Sequence, residues 1–412
     1  MTDRDGEVLD VDCAVVGAGA AGLSLAVHLD RLVRARPGAA APSLALVDPV
    51  HRRGDDRTWC FWDAGTSPVE EAVERSWRRV ELVDRAGRSR VLDLGPLRYA
   101  LVRSSDFYAL ADAAASRLGA VRVTAPADEV TDGAVRAGGR LVRARWIVDS
   151  RPAPPRLRAN TAVLQHFRGW VVRLPHDAFD PDLPVLMDFS VPQPRQGVAF
   201  GYVLPTGPRR ALVEYTEFSR ARLPEADYDR ALRAYLLRRY RTAVGAGGAV
   251  LERVEDGAIP MTDAVHDGRP GPRLLRAGTA GGATRGSTGY TFAAVQRQAA
   301  AVAADLLAGR DPAPPPAYPR RHRWMDAVLL RALDRGLAPG PELLTGIFDH
   351  NPPDRVLRFL DGRTAPWEEL LLMSTAPLLP MARASVGDLA ARAGRRLGRA
   401  AQNPSAAPAG GR

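Results

Sequence analysis

A chain of 412 residues has room for two or three domains, and 46% hydrophobic content is ordinary for a globular protein. The 57 basic residues exceed the 47 acidic ones by 10, and every basic residue is arginine because the chain has no lysine. A composition bias of that kind, without any recognisable nucleic-acid motif, argues against a nucleic-acid partner and leaves an anionic membrane surface open.

Met1–Val11 is acidic and has no apolar core, so it is not expected to act as a signal peptide. No run approaches the ~18 apolar residues of a membrane-spanning helix. Cys13 and Cys60 offer neither a disulfide framework nor a metal-ligand spacing, so no metal is expected and a reducing, cytoplasmic setting fits.

Cys13–Val16 is a short apolar run suited to a buried parallel strand, and Leu23–Leu29 reads as a helix. Between them lies Gly17-Ala18-Gly19-Ala20-Ala21-Gly22. Gly17 suits the tight turn, Gly19 lets backbone approach a pyrophosphate, and Gly22 lets the helix pack on the strand. Free N–H groups of the first turn and the positive end of the helix dipole would hold the phosphates. A second strand, Ser43–Val47, ends in Asp48, where a ribose hydroxyl would be held. The strand, glycine turn, helix and acidic strand end together read as a dinucleotide-binding unit.

Arg57-Thr58-Trp59-Cys60-Phe61-Trp62 places three large aromatics within a few positions, as a pocket wall or as ordinary core. Arg57 suits either a phosphate or a surface salt bridge. Tyr99–Arg103 reads as a strand and Phe107–Leu118 as a helix. Val121–Thr124, Asp128–Val135 and Arg140–Arg143 read as a meander, and Trp146–Asp149 as a last parallel strand. From about Ala153 the chain changes character. Val163–Phe167, Trp170–Arg173, Val185–Phe189, Val198–Leu204 and Ala211–Phe218 follow one another as strands of an antiparallel sheet. Leu223–Tyr240 is helical, with Tyr228, Leu232, Tyr235 and Leu236 on one side, and Ala258–Asp263 leads back to the first layer.

A second glycine-rich passage, Gly278-Thr279-Ala280-Gly281-Gly282, precedes the helix Phe292–Leu307. Small residues there admit a flat or anionic ligand close to the backbone. Two such passages suit FAD better than NAD, since a flavin ring needs housing as well as the dinucleotide. Pro312–Pro319 marks a boundary. Beyond it, Arg320–Arg335 is a basic amphipathic helix, and Leu343–Phe348, Val356–Leu360 and Trp367–Leu379 are apolar. The greasy 370–373 and 378–381 stretches flanked by Arg383, Arg392, Arg395, Arg396 and Arg399 suit a face lying on anionic lipid, or equally a helical bundle with a solvated basic tail.

GAGAAGLSLA (17–26), RTWCFW (57–62), LQHFRGW (164–170), LMDF (186–189), YVLPTGPRRALVEYTEFS (202–219), IPMTD (259–263), GTAGGATRGSTGYTF (278–292) and FDHNPPDRVLRFLDG (348–362) occur in one consistent order. Together they resemble the FAD-dependent lycopene cyclases of carotenoid synthesis, the bacterial β-cyclases in particular. The resemblance implies an α/β fold. Its parts would be a Rossmann-like FAD-binding domain of the p-hydroxybenzoate-hydroxylase and geranylgeranyl-reductase flavoprotein class, an antiparallel-sheet substrate domain and a C-terminal helical region. The expected divisions are 1–155 with 260–318 for FAD, 156–259 for the substrate sheet, 319–400 for a membrane-facing helical region and 401–412 for a disordered tail.

The implied reaction is a redox-neutral, acid-catalysed closure of the ends of lycopene to β-ionone rings, by way of γ-carotene to β-carotene. The implied cofactor is FAD in its reduced form, with NAD(P)H as reductant. Linear carotenoids, an anionic membrane surface at the cytoplasmic face and other enzymes of carotenoid synthesis are the implied partners.

On the motif LVEYT, Glu214 takes the position of the acid, and Glu217 falls on the other face of the strand. Protonating an unactivated alkene needs a carboxyl that still holds its proton at pH 7, which burial in an apolar channel provides. Trp59, Phe61, Trp62, Phe167, Trp170 and Tyr290 are the candidate aromatic faces for the cation. Asp188 is the candidate base, or else a strand-end hydrogen-bonding group. For FAD the candidates are Gly17, Ala18, Gly19, Ala20, Ala21 and Gly22 with Asp48 and Arg57, and Arg103, Gly278, Thr279, Ala280, Gly281 and Gly282 nearer the flavin. Arg285-Gly286 departs from the family's pattern and leaves that loop's shape open. Two rival readings stand beside the cyclase. One is a redox enzyme of the same fold, a prenyl reductase or FAD monooxygenase; the other is a non-catalytic flavin- or isoprenoid-binding module.

Overall fold

The computed structural model describes residues 8–152, 159–376, 380–389 and 391. Val8–Val16 is the axis of a seven-stranded sheet, with Leu44–Val47 and Arg140–Asp149 parallel on either side. Its last four residues, Cys13 to Val16, are buried on both faces, as a continuous apolar run in a covered parallel sheet must be. The helix Ala20–Arg34 begins three residues before the expected start, because the alanines of the glycine motif already form its first turn. Leu274–Arg276 adds to the far end of Arg140–Asp149, while Ala134–Ala137 and Ala127–Val130 fold back against its near end. The expected break between residues 143 and 146 is absent, and one ten-residue strand spans both.

The second sheet runs in the order Val250–Thr262, Ala162–Arg173, Arg210–Ser219, Val198–Pro205, Val185–Asp188, Arg79–Val83, Ser89–Asp93. The last two strands come from the segment assigned by sequence to the nucleotide layer, yet Arg79–Val83 pairs in parallel with Val185–Asp188. Ala162–Arg173 is unbroken through Gly169, where sequence suggested two strands. Val250–Thr262 was legible only at its end, because its charges and Pro260 suit an edge strand, which such residues protect from further pairing. Thr58–Asp63, Arg98–Arg103 and Val73–Trp77 form a small sheet between the two large ones.

One face of the second sheet is closed by the helix Glu225–Tyr240, which buries Tyr228, Leu232, Tyr235 and Leu236. The other face looks towards the helices Arg320–Asp334, Gly340–Asp349, Pro353–Leu360 and Pro366–Ser374. These helices are tied down by a buried ion pair, Arg285 to Asp326 at 3.0 Å, and by a buried hydrogen bond between His322 and Glu369 at 2.6 Å. Among the described residues no helix is long and apolar enough to cross a membrane. Leu378, Leu379, four of the five tail arginines and 401–412 lie outside the described residues.

Candidate functional site

Two glycine passages meet at the carboxyl end of the parallel strands. Gly17 takes φ +91°, and a side chain at Gly22 would run into the Gly17 carbonyl and come within 2.8 Å of Val15. Gly19 differs, since a Cβ there would meet nothing within 4 Å. The helix that follows has neither a side-chain cap nor an acidic residue in its first turn, so its N–H groups remain available for an anion. Across from it, Gly278 (φ +66°) lets the second passage approach Ala21, to 2.9 Å from a built Cβ. Thr279, Ala280, Gly281 and Gly282 complete this turn, which leaves the strand Leu274–Arg276.

Asp48 closes the first cradle. Its carboxylate accepts from the Ala18 N–H at 2.7 Å and the Val50 N–H at 2.9 Å, holding the strand end against the glycine loop. Arg57 reaches the cavity wall, bonded to the Asp56 carbonyl at 2.8 Å. Arg103 is turned elsewhere, towards Asp55 at 3.2 Å and Glu74 at 3.5 Å.

From Thr279 and Phe292 a cavity of about 1080 Å³ runs along the second sheet to the C-terminal helices. Its walls are mainly apolar, including Phe200, Leu212, Phe218, Leu343, Ile347 and Leu372. It reaches the surface near Trp324 and Met373, which are 38% and 37% exposed.

Glu214 lies on this wall. On Arg210–Ser219, alternation points it the same way as Leu212, Thr216 and Phe218, all of which line the cavity. Glu217 points the other way, 4.0 Å from His166 and 3.4 Å from the Tyr215 hydroxyl. Glu214 is 9% exposed, and its carboxyl accepts one hydrogen bond, from the Thr216 hydroxyl at 2.6 Å. Burial pushes the Glu214 carboxyl up to about 8; the Thr216 hydrogen bond works against this and the nearby Glu255 charge adds to it. Glu214 therefore keeps its proton at neutral pH.

Trp59, Phe167 and Tyr290 line the cavity, and Trp59 stacks on Phe292 with centroids 5.6 Å apart. The other three aromatics do not reach it. Phe61 stacks on Phe292 within the nucleotide core, and Trp62 sits behind Tyr290 at 4.7 Å. Trp170 is on the opposite face of its strand, in the core under Glu225–Tyr240, because it is one residue out of phase with Gly169 and Phe167 relative to the cavity. Asp188 also leaves the cavity. It is 1% exposed and accepts from Tyr235 at 2.9 Å, Arg239 at 3.3 Å and both the N–H and hydroxyl of Ser190, which is the strand-end role set beside the catalytic one in the sequence reading.

Three polar features of the wall escaped the sequence. Glu255, 4% exposed, accepts from the Thr58 N–H at 2.8 Å and hydroxyl at 2.9 Å. The Tyr99 and Tyr202 hydroxyls meet at 2.6 Å. Burial pushes both phenols well up, and the adjacent Cys60 thiol up to about 12, so all three stay neutral. The alternation Arg253, Glu255, Gly257, Ile259 was a strand signal masked by its charges. The departure at Arg285-Gly286 has a structural reason. Arg285 is fully buried between Asp326, the Phe359 carbonyl and the Phe359 ring, and a Cβ at Gly286 would lie 2.7 Å from the Thr262 carbonyl.

Residues 12–386 match the family described as Lycopene cyclase protein. A lycopene beta-cyclase from Paracoccus sp. (strain N81106 / MBIC 01143) is 30% identical over 400 residues, covering 90% of this chain and 96% of that protein. Among solved structures, a geranylgeranyl bacteriochlorophyll reductase-like protein from Thermoplasma acidophilum aligns with a TM-score of 0.54 at 13% identity, covering 92% of this chain and 96% of that one. A flavoprotein/dehydrogenase from Cytophaga hutchinsonii gives 0.55 at 12% identity, covering 92% and 99%. These likenesses establish the fold, the α/β architecture of geranylgeranyl-reductase-like flavoproteins, and this chain ends in several helices. By the match along nearly its whole length, the chain belongs to the lycopene cyclase family.

Proposed function

We propose that the protein is a membrane-peripheral lycopene β-cyclase that holds FAD and closes the two ends of lycopene in turn. The observation that carries the reading is Glu214, protonated at neutral pH in the wall of a long apolar cavity. Its proton adds to the inner carbon of the terminal double bond, the π pair of that double bond becomes the new C–H bond, and the positive charge is left on the carbon that carries the two methyl groups. The tertiary cation left behind is attacked by the next accessible double bond, which closes a six-membered ring. Loss of a proton beside the ring cation restores a double bond, so one proton enters, one leaves, and the mass is unchanged.

The chain's residues serve that sequence in distinct ways. The apolar walls hold the polyene and exclude water that would trap the cation. Trp59, Phe167 and Tyr290 offer π faces worth roughly 0.5–2 kcal/mol each towards a nearby cation. The open backbone at Gly19, the uncapped helix starting at Ala20 and the close approach of Gly278 to Ala21 fit a dinucleotide cofactor. Gly17 to Gly22 would hold the pyrophosphate, Asp48 the ribose, and 278–282 with Arg57 the flavin end. Reduced FAD, replenished by NAD(P)H, supplies negative charge at that end of the cavity when bound.

The helix Pro366–Ser374, whose Leu372 and Met373 line the cavity, also carries exposed apolar side chains, Trp367 at 58% and Leu370 at 64%. Arg323, next to cavity-lining Trp324, and Arg383, next to cavity-lining Ala382, are exposed. A carotene is dissolved in lipid and not in water, so a greasy, arginine-bordered mouth suits uptake from an anionic membrane at the cytoplasmic face.

Expression in a lycopene-accumulating bacterium tests the reading. β-Carotene, isomeric with lycopene, is the expected pigment. A reductase would yield a product heavier by hydrogen and a monooxygenase one heavier by oxygen. Unchanged lycopene with folded, flavin-loaded protein would refute the assignment.

A further inference from the structure

Glu214 and Glu255 stand on strands that flank Ala162–Arg173, and both are in register with the same residue of it, Gly169. Gly169 places no side chain between them. A Cβ there would lie 2.9 Å from Leu212 Cδ1 and 3.5 Å from both Cβ and Cγ of Glu214. Two carboxyls therefore share one face of the sheet and one cavity wall, two strand spacings apart with bare backbone between.

Their surroundings differ. Glu255 is gripped by the Thr58 N–H and hydroxyl and by the Arg253 guanidinium at 3.4 Å, all donors that favour a carboxylate. Glu214 has only the Thr216 hydroxyl. We propose that Glu255 is a positioning residue for the acid: its anchored carboxylate faces Glu214 over Gly169, opposes ionisation of Glu214 and so keeps the transferable proton in place. This rests on the reading of Glu214 as the acid.

The remaining groups around the cavity leave Glu255 as the charge that Glu214 meets. Tyr202 on the adjacent strand, with Tyr99, Cys60 and Tyr290 from the neighbouring segments, stays neutral through burial. Burial raises the Glu255 carboxyl above its ordinary range, and the Thr58 hydrogen bonds and the Arg253 and Arg57 guanidiniums limit that rise. Asp326, facing from the C-terminal helices, is compensated by Arg285 and Ser287. At the outer rim Glu342 pairs with Arg85 at 3.8 Å, and His350 bonds the Gly346 carbonyl. Two carboxyls with donor sets this unequal hold one proton unequally, and it stays on the less bonded member.

The test is infrared titration of the carboxyl groups in the flavin-loaded enzyme, with the pH profile of kcat/KM beside it. The wild-type alkaline limb is expected near pH 8, where Glu214 ionises. Glu255→Gln should move both the Glu214 titration and that limb down by about one pH unit, with turnover at pH 6 kept within about threefold. Glu255→Asp, which keeps the charge, should leave the limb near its wild-type position. Glu214 is still neutral while Glu255 ionises, so Glu214→Gln should leave the Glu255 titration in place; where Glu255→Gln does not fold, Glu255→Ala read in the same way holds the proposal to account. A Glu214 titration that stays in place when the Glu255 charge is removed overturns it, as does a Glu255→Gln rate loss equal at every pH. Coupled titration in a protein that leaves lycopene unchanged would uphold the carboxyl pair and refute the cyclase.

Discussion

Gly169 and Glu214 are register partners on adjacent strands, and the missing side chain of one is the space beside which the other stands. Gly169→Ala would press on Leu212 Cδ1, the movable end of a side chain, so the fold should survive at a cost of about 1 kcal/mol. The acid would still be displaced. A shift of even ~1 Å in a catalytic group costs up to ~100-fold, so Gly169→Ala should lower kcat by at least ~10-fold and Gly169→Leu by more than ~100-fold. Steady-state rates on carotene in detergent, with melting curves as the folding control, check this.

A second prediction concerns pH and stability. The Glu214 carboxyl holds its proton to about pH 8 in the folded chain, against 4.5 for the ordinary group. Folding therefore binds a proton between those values. The stability contributed by the protonated form is complete below pH 4.5 and is lost as pH rises through about 8. Glu214→Gln cannot ionise, so it should be more stable than wild type at pH 9, by roughly 2–4 kcal/mol, with the difference vanishing near pH 4.5. Chemical denaturation at the two pH values measures it. A Gln variant that is less stable at high pH would contradict the buried, neutral carboxyl.

The glycines of the first passage should separate cofactor binding from folding. Gly22→Val drives a side chain into the Gly17 carbonyl and Val15, and should cost more than ~3 kcal/mol or prevent folding. Gly19→Val meets open space in the protein alone, so the melting temperature of the flavin-free form should barely move. If a pyrophosphate lies there, FAD affinity should fall more than ~10-fold. Flavin fluorescence titration of the two variants reads both effects.

On the helix Pro366–Ser374, whose Leu372 and Met373 line the cavity, replacing Trp367, Leu370 and Leu371 with serine removes apolar side chains that are 58%, 64% and 43% exposed and make little core. Stability should change by less than ~1 kcal/mol. Binding to anionic vesicles should weaken ~10-fold or more in co-sedimentation, while turnover of micellar carotene stays close to wild type.

The sequence carried the parts of this molecule that are local. Val8–Val16, its glycine turn and Asp48 follow one another in the chain, and Glu214 alternates on a strand rich in apolar residues. The C-terminal helices Gly340–Asp349 and Pro353–Leu360 were marked by prolines and apolar spacing. What stayed hidden depends on pairing between distant segments. Glu255 gains meaning only when Gly169 brings Val250–Thr262 beside Arg210–Ser219, and nothing near it in the chain says so. Trp170 and Asp188 resembled site residues by type and neighbourhood, but strand phase sent Trp170 to the other face, and the irregular register between Val185 and Asp188 turned Asp188 towards Tyr235. Arg79–Val83 and Ser89–Asp93 were missed because exposed arginines and aspartates interrupt their apolar pattern.

The most direct measurement is turnover of lycopene by the flavin-loaded enzyme in D₂O, wild type beside Glu214→Gln, with product mass and the position of the label determined. An exchangeable carboxyl that protonates the terminal alkene predicts one deuterium per ring formed, in the ring methylene next to the gem-dimethyl carbon, and a Gln variant slowed at least ~1000-fold. β-Carotene free of deuterium, or a Gln variant that cyclises at the wild-type rate, would contradict the account.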